Sequence, residues 1–217
     1  LEHRRQRQMC IRDRNNILED IDPDLIINTV GITDVDYCEE NPTKAWEIHS
    51  NGTYNIYKWI NKKNHKKMIY ISTDQYFAYS SKQKNSEVDP ISIVNVYAKT
   101  KFLGEYFVSN HSNHLVLRTN IIGLSKKKSF SDWVISGIKK REKLKLFCDY
   151  NVCSIDVYSF SEILFDLVAK DLKGTFNLAC SEVFSKKDII SEFSKQMGID
   201  LFEPCLLYTS DAADDVR

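Results

Sequence analysis

Apolar runs and amphipathic stretches alternate along the chain. Leu25-Ile26-Ile27-Asn28-Thr29-Val30, Met68-Ile69-Tyr70-Ile71-Ser72 and His114-Leu115-Val116-Leu117-Arg118 are short, almost continuously apolar and flanked by polar residues. Such runs read as strands buried on both faces. Asn41-Pro42 opens a helical pattern from about Thr43 to Lys62, with Ala45, Ile48, Ile56, Trp59 and Ile60 on its apolar face and a break at Asn51-Gly52. A second helix is expected from about Asn95 to Asn110. Beyond it, the segments 129–141 and 160–170 read as helices leading into strands at 144–147 and 175–179. Ser185-x-x-Asp188 caps a last helix to Met197. This alternation predicts an α/β fold with a parallel sheet, right-handed crossovers and helices on both faces.

Composition narrows the class without choosing a function. The 217 residues, 42% hydrophobic and 28% charged, suffice for one domain or one domain plus a small lobe. Thirty basic and thirty acidic residues leave no net field to attract nucleic acid, although Lys126-Lys127-Lys128 is a local anion contact to consider. No apolar run reaches the ~20 residues of a membrane-spanning helix and no leader is visible, so a cytoplasmic protein is expected, without nucleic acid or membrane partners. The six cysteines (10, 38, 148, 153, 180, 205) have no metal-ligand spacing and read as small reduced apolar residues.

The chemistry lies in Ile71-Ser72-Thr73-Asp74 followed by Asn95-Val96-Tyr97-Ala98-Lys99-Thr100-Lys101. On a helix, Tyr97 and Lys101 share a face. A free Tyr has a pKa near ~10, and a neighbouring ammonium favours its phenolate, which brings the proton within reach of acid–base work. Thr73, at a strand end, offers a hydroxyl to share a carbonyl oxygen with Tyr97. A Tyr-x-x-x-Lys pair alone is common on solvated helices; the order strand, Ser-Thr-Asp, loop, Asn-x-Tyr-x-x-x-Lys is far more specific.

Together with Pro23-Asp24-Leu25-Ile26-Ile27-Asn28, Val35-Asp36, Asn51-Gly52-Thr53, Gly104-Glu105 and Leu117-Arg118-Thr119-Asn120, these motifs resemble the extended short-chain dehydrogenase/reductase family in its dTDP-4-dehydrorhamnose reductase branch, from about Asp22 to Gly198. The resemblance implies a Rossmann-like doubly wound sheet with a small C-terminal substrate lobe, an NADP or NAD cofactor and a nucleotide-linked 4-keto sugar substrate, and it allows a homodimer. It implies catalytic roles for Thr73, Tyr97, Lys101 and Asn51, the last holding a water relay. Asn28, Val30, Gly31 and Asn120, with Tyr97 and Lys101, would meet the cofactor, and Asp74, Tyr76 and Trp133 the sugar nucleotide. Asp149 matches a position after the small-lobe strand. The alternatives are an epimerase or dehydratase of the same family, or a non-catalytic module similar to the regulatory subunit of methionine adenosyltransferase.

The glycine-rich pyrophosphate turn of dinucleotide folds is absent. None of the seven glycines (31, 52, 104, 123, 137, 174, 198) forms such a cluster. The expected reading is an internal fragment that lacks its first βαβ unit. Residues 15–123 would be a partial dinucleotide-binding core and 124–204 the remaining core and substrate lobe. The segments 1–14 and 205–217 read as non-native tails, the alternative being genuine disordered tails.

Overall fold

The computed structural model describes residues 16–77, 85–124, 129–148, 150–202 and 205–207. The tail residues 1–14 and 208–217, Lys126 to Lys128, Asp149 and part of the Gln75 to Pro90 loop lie outside them.

The chain divides into two compact units, residues 1–119 with 167–178, and 120–166 with 179–217. In the first, β1 (Leu25–Asn28), β2 (Lys67–Ile71), β3 (His114–Thr119) and β8 (Gly174–Leu178) form a parallel sheet in the order β1-β2-β3-β8. The expected α/β fold with a parallel sheet is therefore present. β2 is buried at every residue, which is why its sequence does not alternate: neither face meets water. Trp59, Ile60, Met68, Tyr70, Val108 and Val116 form the core on one side of this sheet, with Leu18, Ile26 and Ile56 packed against it.

This unit includes helices α1 (Val35–Glu40), α2 (Pro42–Ala45), α3 (Gly52–Ile60) and α4 (Val96–Ser109). Asp34 caps α1 by accepting from Tyr37 N. The expected break at Asn51-Gly52 is not a break. Trp46–Asn51 is a π-helical turn that joins α2 to α3, and the Gly52 amide donates to Glu47 O. A π turn accommodates an extra residue and often accompanies function. Here it brings His49 and Ser50 onto the same buried side as Thr53.

The second unit holds the short strands β4 (Ile121–Ile122), β5 (Lys145–Phe147), β6 (Asn151–Val152), β7 (Ile155–Asp156), β9 (Phe184–Ser185) and β10 (Cys205–Leu207), with helices α5 (Phe130–Lys140) and α7 (Lys186–Met197). Helix α6 (Val157–Ala169) runs through the boundary at residue 166. Ser129/Asp132 and Ser185/Asp188 are capping boxes, and Gly198 closes α7 at φ 64°. Val134, Ile138, Leu144, Leu146 and Ile190 make its core. Cys205 to Leu207, counted with the tail in the sequence, pair in parallel with Lys145 to Phe147.

Candidate functional site

Asn95 builds the site by starting α4. Its extended backbone (φ −141°) and side-chain oxygen, which accepts from Ala98 N at 2.7 Å, make it the N-cap. Tyr97 thus stands on the first turn and Lys101 one turn later on the same face. Glu39 of α1 accepts from Val96 N at 2.6 Å and ties the two helices together.

Lys101 is 5% exposed. Its ammonium donates to Ile71 O, the last residue of β2, at 2.6 Å, and lies 4.4 Å from the centroid of the Tyr70 ring. Burial lowers its pKa to about 8, and the Glu105 carboxylate works against that shift. Thr73, two residues beyond Ile71, is buried and accepts from Gln75 N at 3.2 Å. Its own proton remains available to donate.

The turn after β1 belongs to the same neighbourhood. Asn28 is buried, donates to Thr53 Oγ1 (3.0 Å) and accepts from Val30 N (3.1 Å), so its side chain shapes the turn from inside. Val30 is 61% exposed. A Cβ on Gly31 would lie 3.4 Å from His49 Nε2 and 3.9 Å from Lys101 Nζ. The open backbone of this turn therefore faces the Lys101 ammonium and the His49 imidazole, and the same imidazole meets the Tyr97 ring.

Three tyrosines lie in this region, and burial sorts them. Tyr70 and Tyr76 are fully buried, and desolvation pushes both phenols up from their ordinary range. Tyr97 is half-buried, with its ring edge-on to His49 at 5.6 Å between centroids and 89° between planes. Tyr76, expected to meet the sugar, is fully buried, with its hydroxyl 2.9 Å from Ser72 Oγ.

Asn51 is half-buried at the end of the π turn, and it is His49 and Ser50 that reach α4. Asp74 is half-buried in the turn before Phe77. Asn120 and Trp133 belong to the second unit. Asn120 accepts from Ser154 Oγ (3.2 Å) through its side chain and from Ile155 N through its backbone. Trp133 is 45% exposed, packed at 6.0 Å on Phe130, and so is not a core residue. Sequence reasoning missed His49. Its only signal was a lone polar residue four positions after Ala45, on the apolar side of the expected helix.

The arrangement fits the nicotinamide end of a dinucleotide. A glycine backbone turn leaves room against Lys101, whose ammonium has donors beyond the one given to Ile71, and a half-buried phenol stands one turn away. The pyrophosphate end has no glycine cluster to receive it.

The family model for the RmlD substrate binding domain matches residues 6–212. The dTDP-4-dehydrorhamnose reductase of Shigella flexneri is 30% identical over 194 residues, and that of Escherichia coli 27% over 194; each alignment covers 83% of this chain and 63% of the relative. The chain thus spans somewhat under two thirds of the length of these curated relatives. Among solved structures, the dTDP-4-dehydrorhamnose reductase of Bacillus anthracis, in complex with NADP, superposes with a TM-score of 0.84 at 22% identity, over 93% of this chain and 71% of that one. A Clostridium acetobutylicum dTDP-4-dehydrorhamnose reductase gives 0.80 at 24% identity, over 89% of this chain and 68% of that one. The fold, the ordered motifs and the family match agree: this chain belongs to the RmlD substrate-binding domain family, within the extended short-chain dehydrogenase/reductases.

Proposed function

We propose that this chain carries the catalytic centre of an NAD(P)H-dependent reductase of a nucleotide-linked 4-keto sugar. The observation that carries this reading is that, at the C-terminal ends of β1 and β2, the edge where open α/β sheets bind ligands, Gly31 faces both His49 and Lys101, and His49 in turn meets the Tyr97 ring. The reductase names of the relatives support the substrate class. A nicotinamide cofactor, when bound, would be the source of the hydride for the carbonyl carbon. Tyr97 gives its phenolic proton to the carbonyl oxygen, so that ketone becomes alcohol with one hydride and one proton. Thr73 donates to the same oxygen and orients it. Lys101 holds a positive charge beside the phenol as its proton leaves and binds the nicotinamide ribose. Asn28, Val30, Gly31 and Asn120 would line the cofactor. Asp74 and Trp133 would line the sugar nucleotide, and Asn51 would hold a water.

In this reading residues 15–123 are the remaining part of the dinucleotide-binding core, and a glycine-rich βαβ unit completes the cradle in the whole protein. The enzyme acts in the cytoplasm, in the synthesis of cell-surface sugars, and a homodimer is compatible with it. Among the described residues no helix is long and apolar enough to cross a membrane.

The test is turnover of the complete protein with a dTDP-linked 4-keto-6-deoxy sugar, followed by loss of the reduced nicotinamide absorbance. Tyr97→Phe should lower the rate by ~10² to 10⁴ and leave cofactor affinity nearly unchanged. A variant within about threefold of the parent would remove Tyr97 from the role of acid.

A further inference from the structure

His49 has no part in the roles above, yet it is fully buried between the segments that carry them. Its Nε2 accepts from Ile32 N at 2.8 Å. A backbone amide can only donate, so Nε2 bears no proton and Nδ1 must bear it. Nδ1 then donates to Thr100 Oγ1, 2.7 Å away, and Thr100 passes its own proton to Val96 O (2.9 Å) or Tyr97 O (3.1 Å). The result is a directional chain of hydrogen bonds from the turn after β1 to the first turn of α4. The imidazole also meets the Tyr97 ring edge-on, and its Nε2 faces the backbone of Gly31. The backbone oxygen of His49 accepts from Thr53 Oγ1 at 2.6 Å, which fixes the ring's own support.

A buried histidine with both nitrogens satisfied is often only core. This one differs in its partners: one belongs to the turn proposed to face the cofactor, and the other lies in the turn of helix that bears Tyr97. Burial first, and the Lys101 ammonium second, lower its pKa to about 4. The ring is therefore neutral across the physiological range, as an acceptor for Ile32 N requires.

We propose that His49 is a positioning residue that locks the Val30-Gly31-Ile32 turn to the Tyr97 end of α4, so that the cofactor-facing backbone and the phenol keep one relative geometry. The proposal rests on the reading of Tyr97 as the acid, and its test separates the two.

In ¹⁵N imidazole spectra of this chain, His49 should show the Nδ1–H tautomer, unchanged from about pH 8 to about pH 5. The opposite tautomer, or titration near the ordinary histidine value, overturns the proposal. In His49→Leu, hydrogen exchange at the Ile32 amide should accelerate, and in His49→Gln, which keeps one donor and one acceptor, it should return towards the parent. In the complete protein His49→Leu should lower kcat by about tenfold or more with sugar KM within about threefold, and His49→Gln should recover most of that loss. Turnover of His49→Leu within about threefold of the parent, or a Gln variant as slow as Leu, overturns it. If Tyr97→Phe stays active, the acid assignment falls, while the tautomer and the Ile32 exchange still judge the coupling by His49.

Discussion

Arg118 of β3 and Glu105 of α4 form a buried, forked ion pair, with Nη2 to Oε1 at 2.6 Å and Nε to Oε1 at 3.0 Å. Ser72 Oγ donates to the same carboxylate at 2.7 Å, and Arg118 Nη1 reaches Glu87 O at 3.3 Å. Two charges out of water are tolerated here because each is met by several hydrogen bonds. The pair pins the helix bearing Tyr97 to the strand beside β2 and holds the returning end of the long loop. Removing one partner leaves the other charge buried and uncompensated. Arg118→Met or Glu105→Leu alone should therefore cost about 3–5 kcal/mol in urea unfolding, and the double variant should recover much of it. Single variants within about 1 kcal/mol of the parent would show that water reaches the pair.

Gly104 permits the approach of α4 to the sheet. A Cβ there would lie 2.5 Å from Tyr70 Oη, 2.9 Å from Cζ and 3.0 Å from His49 O. Gly104→Ala should thus destabilise by about 1–3 kcal/mol despite its better helix propensity. In a Tyr70→Phe background, where the hydroxyl is gone, the same substitution should cost less. Equal costs in both backgrounds, read by thermal unfolding, would place the strain elsewhere.

Lys101 sets a pH dependence whose sign follows from its lowered pKa. Its positive charge disappears as pH rises through about 8, so reduction should fall along an alkaline limb near that value. Stability moves the other way. Between about 8 and the ~10.5 of an unfolded lysine, the unfolded chain binds more protons, so folding stability rises with pH across that window and is flat below it, by roughly 3 kcal/mol in all. Lys101→Met should be slow at every pH and should remove the stability slope. An unaltered alkaline limb in that variant would assign it to another group.

Asn95→Ala should remove the N-cap of α4 and cost about 1 kcal/mol, with Asn95→Asp retaining most of the stability. Because Tyr97 sits on that first turn, the Ala variant should also broaden the Tyr97 ring resonances. Unchanged unfolding and sharp resonances would show that the Glu39 contact to Val96 alone secures the turn.

The sequence by itself determined the parallel core strands β2 and β3, which are covered on both faces and so are written as unbroken apolar runs, whereas β1, read from the same kind of run, lies at the sheet edge with Ile27 exposed. It also determined the helices whose ends are set locally, by Asn95 at α4 and by Ser185 with Asp188 at α7. The Tyr97 and Lys101 face followed from helical spacing alone. Only the tertiary structure decided what those residues touch. The ammonium of Lys101 is held by Ile71 O, thirty positions away in the chain, and Tyr76 is drawn into the core by Ser72 and the Arg118–Glu105 pair. The two-residue strands pair across long separations and carry no period of their own, as with Asn151–Val152 against Phe184–Ser185. His49 is the sharpest case. A regular helix reading leaves it an incidental polar residue, while a π turn, stabilised by packing against α4 through Thr100 and Gly104, buries it beside Tyr97. Local propensity is short-ranged, and the energy that selects such a turn comes from contacts half the domain away.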